Sequence, residues 1–331
     1  MGNFIKKRVF SWVSLTVRGP SFQGEIFVWH HWQNSLIYRI YLPNWNAVKD
    51  PLSFRLLKAT LKPLAWLFPR ALAHFWIRQF MKPSKISAPG WESELLASGT
   101  PITLPGKIKA WIFGEGPVVL LAHGWEGRGG QMGKFITPLV RAGFRVVTFD
   151  GIAHGETPGT KTNIVMHAES IVEISSDLDA RYGPVHAVIA HSFGAGATAL
   201  ALTLGLKITK VILIASPCSI QNILNRFTDS IELPERARRA FQNILEMSTG
   251  YPASAINVAT LSEKIENVDA LIIHDSKDED VPYSEACEIA SHWKNSILFT
   301  VEGVGHRRIL KSKIVIERCV QFLTETKEGK S

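Results

Sequence analysis

The chain reads as an α/β fold, a mostly parallel sheet flanked by helices. Three observations predict it. Apolar runs recur at 118–122 (Val-Val-Leu-Leu-Ala), 185–189 (Val-His-Ala-Val-Ile), 270–274 and 297–301. The runs are short and largely continuous rather than strictly alternating, the pattern of strands buried on both faces. Each ends in a loop rich in Gly, Ser, Asp or His, and residues 195–204 after the second are mostly Ala, Leu and Gly, a helix suited to close packing on a sheet.

Taken in order, the first run ends in His123-Gly124-Trp125-Glu126-Gly127-Arg128-Gly129-Gly130. A glycine-rich loop directly after a strand exposes backbone N–H groups, which stabilisation of an oxyanion requires. A further strand ends in Phe149-Asp150-Gly151-Ile152-Ala153-His154-Gly155. The run at 185–189 leads into Ala190-His191-Ser192-Phe193-Gly194. A serine at such a strand-to-helix junction sits on a sharp turn, its hydroxyl raised above the sheet edge beside a helix N-terminus. Ala190 stands where this turn usually has its first glycine and is small enough to fit. The competing reading is a serine that only caps a core helix. The run at 270–274 leads into Asp275-Ser276-Lys277-Asp278-Glu279-Asp280-Val281-Pro282, and the last strand into Glu302-Gly303-Val304-Gly305-His306-Arg307-Arg308.

Serine, acid, then histidine, each just after a strand, is a chain order shared by neither major class of serine protease. Together with the His-Gly-Trp-Glu-Gly-Arg loop, the Phe-Asp-Gly-Ile-Ala-His-Gly turn and the Gly-His-Arg-Arg segment, it resembles the α/β-hydrolase superfamily, and within it the bacterial single-domain serine hydrolases and esterases. The resemblance spans residues 90 to 325. It implies an α/β-hydrolase fold in which Ser192 is the nucleophile, His306 its base, and a carboxylate holds the histidine in the required tautomer. Asp278 has the family spacing, four residues after His274 and before Val-Pro; Asp275 and Asp280 remain alternatives. The oxyanion is expected to meet the N–H of Phe193 and, by resemblance, that of Trp125. His123 and His191 are expected to brace the loop and the turn, and His154 to position. His167, His186 and His292 show no constellation.

The activity this implies is cleavage of a small-molecule carboxylic ester with an apolar portion, through an acyl-enzyme. Acyl transfer or thioester hydrolysis would use the same residues. The rival of another class is a binding protein that keeps the fold without catalysis, against which the complete Ser192, Asp278 and His306 set argues. Dehalogenases and epoxide hydrolases of this fold need an aspartate where Ser192 stands. No cofactor is expected, since neither a P-loop nor a full dinucleotide fingerprint is present. No metal is expected either: His30-His31 lacks further ligands at metal-binding spacing.

Composition bounds the rest. At 331 residues, 46% apolar and 20% charged, the chain has the make-up of a globular protein with room for one large domain and an appendage. Its three cysteines, Cys218, Cys287 and Cys319, imply no disulfide framework and suit a reducing compartment. Residues 91–331 form the expected hydrolase domain. Within it, residues 217–262 interrupt the strand–helix alternation, with Phe241, Ile244, Leu245 and Met247 at helical spacing. That stretch is too long for a plain connection and is expected to be a helical cap.

Residues 1–90 are a basic, aromatic-rich N-terminal extension. They carry thirteen Lys and Arg against Glu25 and Asp50, which accounts for the net charge of +8. Residues 55–82 could lie on an anionic membrane surface or form an arm packed on the hydrolase domain; the second is preferred. Nucleic acid is not an expected partner, as no nucleic-acid-binding motif accompanies the charge. Residues 6–17 only faintly imitate a signal peptide. The expected location is the cytoplasm, with peripheral membrane contact as the alternative.

Overall fold

The computed structural model describes residues 67–325 and, upstream, the backbone of one antiparallel hairpin, β1 (Val13–Gly19) and β2 (Phe22–Val28). The paired histidines His30-His31 and most of the aromatic-rich stretch before residue 67 lie outside the described residues. No helix among the described residues is long and apolar enough to cross a membrane.

The central sheet has eight strands: β3 (Thr100–Leu104), β4 (Ile108–Phe113), β5 (Val118–Ala122), β6 (Arg145–Phe149), β7 (Val185–His191), β8 (Lys210–Ile214), β9 (Asp269–Asp275) and β10 (Ser296–Val301). Their spatial order is β10-β9-β8-β7-β5-β6-β4-β3. Pairing is parallel from β10 through β6 and antiparallel at β6–β4 and β4–β3. The segments at 100–113, Thr-Pro-Ile-Thr-Leu and Ile-Lys-Ala-Trp-Ile-Phe, are antiparallel strands that the buried parallel-strand pattern does not pick out. From β5 the chain runs outward to β6, then returns to place β7 on the other side of β5. Such a reversal opens a crevice at the carboxyl ends of the two strands.

Both faces of the sheet are covered, so strand residues bury on alternate sides with period two. In β7, Val188 and Ala190 join one core, with α4 (Ile164–Tyr182), α5 (Phe193–Thr203), α8 (Val258–Ser262) and α9 (Tyr283–His292). Ala187 and Ile189 join the other, with α3 (Ile136–Arg141) and α10 (Lys313–Thr324). Helix α5 lies on the sheet beside α4 and is buried almost all round, which explains its lack of a polar stripe. Helix α4 begins where Asn163 caps it, its side-chain oxygen accepting from the Met166 N–H at 2.9 Å.

Four helices remain. Helices α1 (Pro69–Phe80) and α2 (Gly90–Ala97) precede the sheet, and α6 (Ile220–Ser230) and α7 (Glu235–Thr249) form the insertion after β8. The insertion is pinched at its base by a bridge between Ser219 and Asn257 and by the Val258 N–H on the Cys218 carbonyl at 2.6 Å. Helix α1 packs on it. Leu72, Trp76 and Ile77 from α1 share a third core with Leu224, Phe227 and Phe241, separate from both sheet faces. The change of composition at residue 90 is therefore not a packing boundary, because α1 belongs physically with the insertion.

Candidate active site

Three loops meet at the crevice above β5 and β7. Ser192 caps α5 with φ 51° and ψ −118°, a conformation L-residues rarely hold. The strain is held by its surroundings. The Ser192 N–H donates to the Ile214 carbonyl on β8 at 2.9 Å, and its own carbonyl accepts from Ala195 and Gly196. Room for the turn depends on Gly194, where a Cβ would collide with the backbone carbonyls of Ala122 and His123. Ala190, fully buried, fits where the usual turn has glycine.

His306 reaches Ser192 from the loop after β10. Its Nε2 lies 2.9 Å from Ser192 Oγ, and its Nδ1 lies 2.7 Å from Asp278 Oδ2. Of the three candidate aspartates at the end of β9 and in the loop after it, Asp278 alone is in hydrogen-bond contact with His306 among the described residues. Asp275 instead anchors the histidine's loop, accepting from the N–H groups of Gly303 at 2.9 Å and Gly305 at 2.5 Å. Asp280 donates its N–H to Asp278 at 2.8 Å. Asp278, Asp280 and His306 do bring donor atoms within 4.8 Å of one another, but Asp278 and His306 are already bonded to each other.

Burial pushes the Asp278 carboxyl upward. The hydrogen bond and charge of His306, the Val281 N–H and His274 outweigh it, leaving the pKa below the ordinary carboxylate value. For Asp280 burial dominates and the pKa is raised. Cys218, beside the base of the insertion, is pushed up to about 12 by burial, so it is a thiol and not a nucleophile.

The loop carrying Trp125 is held from several sides. His123 donates from Nδ1 to the Gly124 carbonyl at 2.7 Å and accepts the Gly151 N–H on Nε2 at 2.8 Å. His154 accepts the Glu126 N–H on Nε2 at 3.1 Å, where Glu126 adopts φ 55°. Asp150 accepts the Gly129 N–H at 2.7 Å. From the N-terminal side, the Ser84 N–H donates to Glu126, and the Glu92 carboxylate meets the Arg128 guanidinium at 2.6 Å, both side chains nearly buried. The N–H groups of Trp125 and Phe193, whose rings meet edge to face at 5.2 Å, donate to no acceptor among the described residues.

His167, which showed no constellation in the sequence, belongs to one here. It is fully buried against His123, His154 and Phe193, with ring centroids 5.8, 6.5 and 5.2 Å away, and neither of its nitrogens has a hydrogen-bond partner among the described residues. Burial, first of all, lowers the pKa of His123, His154, His167 and His191 to about 3, so all four are neutral. His191 donates from Nε2 to the His306 carbonyl at 2.9 Å and so ties the serine turn to the histidine loop. His186 instead stacks on Phe144 at 5.6 Å, and His292 faces Glu263 at 3.7 Å.

Phe80, Glu92 and His167 were missed as contributors to this region, because they act across long sequence separations that periodicity does not encode. Glu126 and Asp150 stood in post-strand motifs but were given no role of their own.

A cavity of about 580 Å³ opens on Ser192 and His306, and its walls include Phe80, Ile220, Phe227, Leu245 and Val281. A hydroxyl, an imidazole and a buried carboxylate in series, at a cavity whose lining is mostly apolar but also carries Arg128, Arg226, Glu246 and Lys311, can generate an alkoxide-like nucleophile.

Similar solved structures carry the same fold. An esterase from Exiguobacterium antarcticum is 19% identical, with a TM-score of 0.52 over 69% of this chain and 100% of its own. An esterase from Pyrococcus furiosus is 19% identical, with a TM-score of 0.54 over 73% of this chain and 95% of its own. A bromoperoxidase from Bacillus anthracis is 19% identical, with a TM-score of 0.52 over 68% of this chain and 100% of its own. No curated protein sequence matches the chain. A sequence profile described as the alpha/beta hydrolase family matches residues 119–316, from the second residue of β5 into α10, and so spans the serine turn, the acid loop and the histidine loop. With the eight-stranded sheet and the three loops that converge on Ser192, that match establishes that the chain belongs to the alpha/beta hydrolase family.

Proposed function

We propose that the protein is a serine hydrolase that cleaves a carboxylic ester with an apolar portion. The observation that carries this reading is the unbroken series Asp278–His306–Ser192, at 2.7 and 2.9 Å, opening into a cavity whose walls are mostly apolar.

Ser192 Oγ attacks the ester carbonyl carbon while its proton passes to His306 Nε2. Asp278, ionised, fixes the Nδ1–H tautomer and stabilises the imidazolium. The carbonyl oxygen takes the negative charge and meets the N–H groups of Trp125 and Phe193, which serve as the oxyanion hole; the nearby α5 N-terminus favours the same charge. The tetrahedral centre collapses, the C–O bond breaks, and His306 returns the proton to the departing alkoxide. Water then attacks the acyl-Ser192 ester with His306 as base, releasing the carboxylic acid. Helices α6 and α7, with α1 docked on them, act as the cap over the acyl or alkyl chain.

Labelling with a fluorophosphonate probe, followed by a panel of p-nitrophenyl esters, tests the proposal. Wild-type protein is expected to label and turn over, and Ser192→Ala to do neither. Labelling that persists in Ser192→Ala overturns the assignment of the nucleophile.

A further inference from the structure

We propose that Phe80, on helix α1 and outside the part of the chain that matches the family, sets the length of apolar chain the site accepts. The proposal rests on the ester-hydrolase reading above and names what that site selects.

Leu72, Trp76 and Phe80 follow each other at i, i+4 and i+8, one stripe on α1. The first two are buried in the third core; Phe80, one turn further on, is half-buried and lines the cavity that holds Ser192. The core stripe thus runs out over the substrate space and ends in a phenyl ring.

That ring is fixed in place. It meets Phe227 at 4.9 Å and Phe241 at 5.7 Å, both edge to face. Phe227 and Phe241 are 2% and 1% exposed, so neither can yield. Directly after Phe80 the helix ends, and the Met81 carbonyl accepts the Thr162 N–H at 2.8 Å, tying this end of α1 to the start of α4. Ser84 and Ile86 then bond to the Trp125 loop. A side chain held by aromatic packing on one side and by backbone bonds just beyond it forms a rigid wall, not a swinging door.

A cavity of about 580 Å³ lies mid-range for sites that enclose a small-molecule ligand and leaves an acetyl group in contact with few of its walls. A longer chain can reach Phe80, Phe227 and Leu245. Each methylene that leaves water is expected to raise kcat/KM about fourfold until the chain meets the ring.

The test uses the full chain and p-nitrophenyl esters from acetyl to palmitoyl, with Phe80→Ala, Phe80→Leu, Phe80→Trp and, as control, Phe75→Ala. Phe75 is on the same helix but 42% exposed and does not line the cavity. Wild type is expected to show a peak in kcat/KM against chain length. Phe80→Ala should move the peak at least two carbons longer, Phe80→Leu less so, and Phe80→Trp should shorten it, while Phe75→Ala leaves it in place. Fluorophosphonate labelling rates and thermal melts establish that each variant is folded; if Phe80→Ala unfolds, the Leu and Trp variants decide. Turnover with the peak unmoved in the folded Phe80 variants overturns this proposal alone. Absence of both labelling and turnover in wild type overturns the ester-hydrolase reading and this proposal with it.

Discussion

Ser192 and His306 are tied together twice. His306 Nε2 stands 2.9 Å from Ser192 Oγ, and His191, the residue before the serine, donates to the His306 carbonyl at 2.9 Å. The second bond fixes the backbone of the histidine loop against the strand that carries the serine, so the geometry of the reacting pair does not depend on the side-chain contact alone.

Replacement of the reacting groups should separate their roles. Ser192→Ala and His306→Ala should each lower kcat by about 10⁴-fold or more, and the double variant should be little worse, because the residues act as a unit. Asp278→Asn should cost about 10³- to 10⁴-fold. Asp275→Asn should cost far less in rate and instead lower stability by about 1–3 kcal/mol, since the amide keeps one acceptor oxygen and turns an NH2 donor toward either the Gly303 or the Gly305 N–H. Steady-state kinetics beside denaturant melts check this; a larger kcat loss for Asp275→Asn would reassign the acid.

The Glu92–Arg128 pair should behave as a buried ion pair. Removing one partner leaves the other charged and desolvated, so Glu92→Gln should cost about 3–5 kcal/mol. The double variant Glu92→Gln/Arg128→Met should recover part of that loss. Urea melts of the cycle give the coupling, and strict additivity would show that the pair is not an energetic unit.

Stability should fall in mild acid. His123, His154, His167 and His191 have folded pKa values near 3 against about 6.5 when unfolded. Between those values the unfolded chain binds protons that the folded protein refuses, so stability is full above pH 6.5 and is lost as pH drops toward 3. Each histidine contributes a slope of up to about 1.4 kcal/mol per pH unit. His167→Leu should flatten the curve by up to one histidine's share, because His167 has no hydrogen-bond partner to lose among the described residues. Melts at pH 7.5, 6 and 5 read the slope, and an unchanged slope in His167→Leu would contradict the buried neutral state.

The docking of α1 should be measurable. Trp76 is 3% exposed and meets Phe227 at 6.2 Å. Trp76→Ala should destabilise by about 3–5 kcal/mol, whereas His74→Ala, on the exposed face of the same helix, should change stability by less than about 0.5 kcal/mol. Equal melting temperatures for the two variants would mean that α1 contributes nothing to the fold.

The sequence alone determined the parallel part of the sheet and the approximate position of the site. Strands β5, β7 and β9 are buried on both faces, so hydrophobicity had to be continuous, whereas β10 is the edge strand and leaves Ile297 exposed. The loops after all four had to carry the polar and glycine residues. Ser192, Asp278 and His306 were legible because the chain order of these post-strand loops is itself a pattern. Tertiary structure decided what depends on partners far away in the chain. The acid loop offered three aspartates of the same chemistry, among which the resemblance favoured Asp278 by its spacing, and the geometry that sets it apart is the 2.7 Å approach of His306. His167 looked unremarkable in α4 because its neighbours come from the loops after β5 and β6. Helix α1 looked like part of a basic appendage because composition averages over its two faces. Its apolar stripe has no meaning until the insertion at 217–262, more than a hundred residues later, supplies the surface it buries.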